Sequence, residues 1–172
     1  MSVILSLMIL ASFCGAQNIE SFNCDFLGET PPGDIPKIFG PGTISTKSDE
    51  CNFEISPNGE VLVFARSGNI IVVEKNKETG RWDPPYFAPF SSSSVEGECC
   101  FSPVGTEIMF SSRRPLKNSP HASNIWTSKF ENDKWSEPQP FEQLLPLKMM
   151  HAISILRSGN IYDTGIIHFF KD

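Results

Sequence analysis

This chain lacks basic clusters, long apolar runs and catalytic signatures, and each absence narrows what it does. Fourteen Lys and Arg stand against twenty Asp and Glu, a formal charge of −6 with no basic patch to offset it. Nucleic acid and anionic membrane surfaces are therefore disfavoured as partners. Beyond residue 16 no run approaches the roughly 18–20 apolar residues of a membrane span, so no integral span is expected in the mature chain. There is no G-x-S-x-G elbow, H-E-x-x-H pair, phosphate-binding glycine loop or dinucleotide-type glycine set. The histidines, His121, His151 and His168, are far apart and lack metal-ligand spacing, and C-x-x-C is missing. The expectation is a non-enzyme without cofactor or metal. No 3.6-residue apolar period occurs, and fourteen prolines and twelve glycines punctuate the chain, which excludes helical solenoids.

What is present suits one domain of ordinary size. The 172 residues are 40% hydrophobic and 20% charged, a globular composition. Residues 1–16, MSVILSLMILASFCGA, have the length of a secretory apolar region and end in small residues. They read as a signal peptide cleaved before Gln17, which makes the mature chain secreted or periplasmic; the alternative is a short hydrophobic first strand. Cleavage leaves Cys24, Cys51, Cys99 and Cys100. An even number in an exported chain invites disulfides, while buried free thiols packed as small apolar groups remain the other reading. Adjacent Cys99 and Cys100 point to opposite faces of a strand, so one partner does not easily serve both.

Internal repetition is the strongest positive signal. ISPNGEVLVF at 55–64 is answered by FSPVGTEIMF at 101–110, with Gly59 and Gly105 separated by 46 positions. Asn69-Ile70-Ile71-Val72 then answers Asn124-Ile125-Trp126-Thr127, and Trp82-Asp83-Pro84-Pro85 answers Trp135-Ser136-Glu137-Pro138. A degenerate third copy runs from Ile153 to Tyr162. The Ser-Pro-x-Gly steps suit tight turns between strands. Val61 to Phe64 and Ile70 to Val73 do not alternate with polar residues, so both faces of these strands need burial. Stacked sheets of about four strands per repeat, as in a β-propeller, satisfy that need. Phe110 is then a core residue.

Phe101-Ser102-Pro103-x-Gly105, Ile108-x-Phe110-Ser111-Ser112-x-Arg114-Pro115 and Asn124-Ile125-Trp126 resemble the WD40-like repeat of TolB-type β-propellers. The lead-in from Leu27 to Gly42 also resembles that of exported bacterial members of the group. The resemblance implies an all-β fold, a partial or small β-propeller of about three four-stranded antiparallel blades, near 49–94, 95–148 and 149–172, after a lead-in over 17–48. Such propellers serve as binding platforms with varied partners. The family places Asp before the turn glycine, where this chain has Asn58, Val104 and Ser158. Three blades leave two apolar faces open, so the chain is expected to be a truncated relative of a larger propeller, to pair as a homodimer, or to be capped by its lead-in.

Candidate binding residues follow from placement in the repeats. Asp49-Glu50 and Glu96-x-Glu98 take equivalent places just before the first strand of their repeats, and His151 lies near the third. By the resemblance that strand lines a central channel, where Glu96, Glu98 and His151 would meet a cation or a basic peptide. Solvated turn residues are the bland alternative. Arg113 and Arg114 open a loop running to Ser123, placed for binding or for bonding loop carbonyls. Trp82, Trp126 and Trp135 read as core packing, and Ser91 to Ser94 as a mobile linker between blades. The leading functional expectation is an exported, non-enzymatic module that binds a protein or peptide. The alternatives are a glycan-binding or hydrolase-accessory module, built on Glu96, Glu98, Arg113 and Arg114, and a remnant without selected function.

Overall fold

A computed structural model describes residue 29, residues 33–117 and 123–141, and the backbone of three short strands between 153 and 168. Regular structure among these residues is entirely β. Strands β1 (Glu50–Ile55), β2 (Val61–Arg66), β3 (Asn69–Glu74) and β4 (Tyr86–Phe87) form an antiparallel sheet in chain order. Strands β5 (Glu96–Phe101), β6 (Glu107–Ser112), β7 (Asn124–Glu131) and β8 (Lys134–Trp135) form a second, in which β9 (Gln139–Pro140) also pairs with β7. Strands β10 (Ile153–Ile155), β11 (Ile161–Asp163) and β12 (Ile166–His168) form a third. The degenerate third copy is thus the antiparallel pair β10–β11. Among the described residues the sheets do not close into a ring.

The repeated sequence produces repeated turns. Ser56-Pro57-Asn58-Gly59 joins β1 to β2 with serine first, proline second and glycine fourth, the preference of a type I turn. Gly59 N–H donates to Ser56 O at 2.8 Å, and Gly105 N–H donates to Ser102 O at the same distance. Both glycines sit at positive φ, 71° and 76°. Asn58 bonds within its turn, accepting from the Ser56 hydroxyl at 2.6 Å. Val104 cannot, yet its turn closes identically, so the departure from aspartate does not cost the turn. Arg66 pairs with Asn69 and Glu131 with Lys134, leaving two-residue loops at Ser67-Gly68 and Asn132-Asp133. All four loop residues have positive φ, which matches the twist of a hairpin.

A bulge recurs as well. Register shifts occur between Cys51 and Glu54 in β1 and between Gly97 and Cys100 in β5. The residues that take up the kink are Asn52 at φ 56° and Glu98 at φ 52°, 46 positions apart. No residue type common to both positions announces it. The outer strands are short and end near Pro84-Pro85 and Pro138-Pro140, as sheet edges tolerate proline.

Two-faced apolar strands do bury both faces. Val63, Ile70, Val72, Ala88 and Phe90 from the first repeat meet Cys99, Phe101, Ile108, Phe110 and Trp126 from the second. Phe110 is fully buried there and stacks on Phe90 at 5.2 Å. Burying such a side chain stabilises by about 1.5–3 kcal/mol. On the opposite face Leu62, Phe64, Ile71 and Val73 meet Ile44, with Phe39, Ile55 and Trp82 beside them. The lead-in therefore caps the first sheet. It turns at Gly40, where a Cβ would sit 2.6 Å from the Ile44 side chain, so no larger residue fits. First strands lie side by side, β1 by β5 and β5 by β10.

Candidate functional site

Glu96 and Arg114 come together, at the junction of the two repeats. Glu96 opens β5, just before the bulge, and its side chain has no exposed surface. It accepts bonds from the Ser91 hydroxyl at 2.7 Å, the Ser92 hydroxyl at 2.8 Å and the Ser112 hydroxyl at 2.9 Å. The Arg114 guanidinium donates to it through Nε at 3.1 Å and through Nη2. Burial opposes the charge on Glu96, but the bonds from Arg114, Ser91 and Ser92 outweigh it and hold the carboxyl below its ordinary value of 4.5. Arg114 also donates to Phe90 O at 2.8 Å and lies over the Phe110 and Trp126 rings, 5.4 and 4.8 Å from their centroids. The pair closes on itself and leaves little for a ligand. The four-serine run is not a bare linker, since Ser91 and Ser92 are stitched into this clasp.

The first repeat carries the same device. Glu50 accepts from Arg66 Nε at 3.0 Å, and Arg66 lies 5.1 Å over the Phe64 ring. Arg66 donates onward to Thr43 O at 2.6 Å, so each arginine ties its sheet to a carbonyl of the segment before it. Glu50 is held below its ordinary value, first by the Thr46 hydroxyl and then by Arg66. The equivalent carboxylates are therefore the first residues of their strands, committed to arginines, rather than free groups at a channel mouth. Of the other expected residues, Glu98 is half-buried at the bulge; burial, and then the charges of Glu98 and Asp49, push the Cys51 thiol up. Arg113 is exposed, its backbone N–H donating to Val95 O at 3.0 Å. His151 lies outside the described residues, as do residues 1–16 and Cys24. Cys51 and Cys99 are free thiols, and Cys99 and Cys100 are both buried.

An open cleft lies elsewhere, between the first two sheets beside their turns. It holds about 470 Å³ and is walled by Glu60, Glu74 and Lys77 from the first repeat and Phe130, Asp133 and Trp135 from the second. Glu78 and Asp83 add negative charge and Lys75 positive, leaving carboxylates in the majority. Lys77 Nζ bonds Asp133 at 2.6 Å across its mouth. Phe130 and Trp135 pack at 4.9 Å as an aromatic side to it. Burial, with the Glu74 carboxylate nearby, pushes the Tyr86 hydroxyl far up, so it stays protonated. Sequence reasoning missed this site. Its residues sit in polar turns, chiefly those after β3 and β7, and at the strand ends beside them, which look alike in any β protein, and only the stacking of repeats brings them together.

Among the described residues no group of three or more His, Cys, Asp or Glu is placed to hold a metal ion, and no helix is long and apolar enough to cross a membrane. No protein-family model, curated protein or solved structure matches the chain.

Proposed function

We propose that this is an exported, non-enzymatic binding protein of the β-propeller type, in which the repeat sheets act as blades and a protein partner is held by a basic segment. The observation that carries this reading is the acidic cleft between the first two repeats. It combines carboxylates with aromatic rings, the chemistry that receives a lysine or arginine side chain. The committed state of Glu96 and Arg114 keeps that pair from acid–base work, because a general acid or base needs its proton-donating or proton-accepting atom open to substrate. Sheets that stack through their first strands support the blade arrangement.

The test is titration of the purified chain with oligolysine and oligoglutamate peptides, read by intrinsic tryptophan fluorescence. Oligolysine should bind with Kd of about 1–100 µM, weaken as salt rises, and lose at least about fivefold on Glu74→Gln with Asp133→Asn. Equal binding of both peptides, or of neither, overturns the proposal.

A further inference from the structure

A basic segment of the kind the cleft receives stands at the opposite end of the same sheets. Strand β6 begins two residues after Gly105, on the cleft wall, and ends one residue before Arg113. At about 3.3 Å per residue its six residues hold the two sites roughly 20 Å apart, so the segment does not reach the cleft of its own molecule. Arg113-Arg114-Pro115-Leu116-Lys117 alternates in what it shows. Arg114 is drawn in by Glu96 and the Phe90 carbonyl, and Leu116 packs on the core between the first two sheets. Arg113, Pro115 and Lys117 are exposed. Among the described residues neither Arg113 nor Lys117 has an ion-pair partner. The inner anchors and the fixed φ of Pro115 hold the segment in place before any partner arrives, so little ordering cost remains. Along the cleft carboxylates outnumber lysines five to two, and Phe130 and Trp135 offer ring faces to a cation and its aliphatic stem.

We infer that the basic segment seated in the cleft is Arg113–Lys117 of a second copy of the chain. This names the partner of the cleft proposed above and rests on that reading. Charge complementarity selects the pairing. The chain as a whole carries −6, which opposes indiscriminate contact between copies, while two exposed cations on a pinned segment match a cleft in excess of carboxylates. Because the two surfaces lie at opposite ends, the contact is head to tail. It leaves a free segment on one partner and a free cleft on the other, so copies add in series as an open chain or a ring.

Sedimentation velocity of the full chain from about 1 to about 200 µM, in about 50 mM salt, should show mass rising beyond a dimer, and about 300 mM salt should return the monomer. Arg113→Glu with Lys117→Glu should weaken association at least about tenfold yet bind oligolysine as tightly as the unaltered chain. Glu74→Gln with Asp133→Asn should weaken both. At a concentration where each variant alone is monomeric, mixing the two should give a dimer that grows no further, because the pair holds one intact cleft and one intact segment. A chain monomeric at about 200 µM in low salt overturns the inference, and oligolysine binding by that same chain leaves the cleft reading standing. Association that salt or the Arg113 and Lys117 substitutions leave unchanged overturns it too, as does a mixture that stays monomeric. Circular dichroism checks that each variant keeps its strands. Should the double glutamate variant fail to fold, Lys117→Glu alone takes its place and should weaken association at least about threefold.

Discussion

The first and second repeats carry the same parts in different settings. Each has a glutamate opening its first strand, an arginine over a buried phenylalanine, and a bond from that arginine to the preceding segment. In the second repeat a whole sheet covers these groups, and the Glu96 and Arg114 side chains are 0% and 14% exposed. In the first the lead-in covers them partly, and Glu50 and Arg66 are 16% and 23% exposed. One local design therefore serves as a core element in one place and a rim element in the other. What surrounds a motif, more than the motif, sets its energetic weight.

The sharpest way to break the comparison is to truncate the equivalent phenylalanines. Phe110→Ala should cost about 3–5 kcal/mol in urea unfolding, through lost burial and a cavity that sheets on both sides keep open. Phe64 is just as buried, at 1% exposure, but it borders an apolar groove, where the lead-in is free to settle inward. Phe64→Ala should cost at least about 1 kcal/mol less. Equal losses would show that the lead-in is as rigid a cover as a sheet.

The glutamates extend the contrast to charge and pH. Glu96→Gln should cost about 2–3 kcal/mol at pH 7, toward the low end for a buried pair because Arg114 keeps the Phe90 carbonyl and two rings. The same change at Glu50 should cost much less. The folded protein holds the Glu96 carboxyl below 4.5, so its contribution is complete above that pH and is lost as pH falls through the lower folded value. A plot of stability against pH should therefore drop below about 4.5, and Glu96→Gln should flatten the drop. A variant with the full acid transition would place the acid-sensitive group elsewhere.

Much of this architecture was legible in the chain. The 46-residue spacing of Ser-Pro-x-Gly marked the hairpins, and the unalternating Val61–Phe64 and Ile70–Val73 runs required sheets on both faces. Trp126 buries as packing, and Trp135 and Trp82 lie partly buried against the two cores. Glu96 and Arg114 stood out by position, but their joint role did not, because the arginine is offset from its counterpart. Arg66 follows Phe64 by two residues and Arg114 follows Phe110 by four. A long flexible side chain reaches the same carboxylate from either place, and no fixed spacing records that reach. The bulge was hidden for a related reason. It depends on backbone geometry at Asn52 and Glu98, two residues with nothing in common but polarity.

The smallest expected effect lies at the mouth of the cleft, where the two repeats meet through Lys77 and Asp133. Both side chains are largely exposed, at 70% and 76%, so their pairing is screened and costs rotamer freedom to hold. Lys77→Ala should therefore leave Tm unchanged within error, unlike any of the substitutions above. Binding should respond instead. Lys77 neutralises Asp133 from within, and a basic segment entering the cleft has to displace it. Removing the lysine frees the carboxylate and lowers the competing positive charge, so oligolysine affinity should rise about two- to fivefold at low salt and less at high salt. An unchanged or lower affinity would show that Lys77 does not compete with the incoming cation, and would move the basic segment away from Asp133.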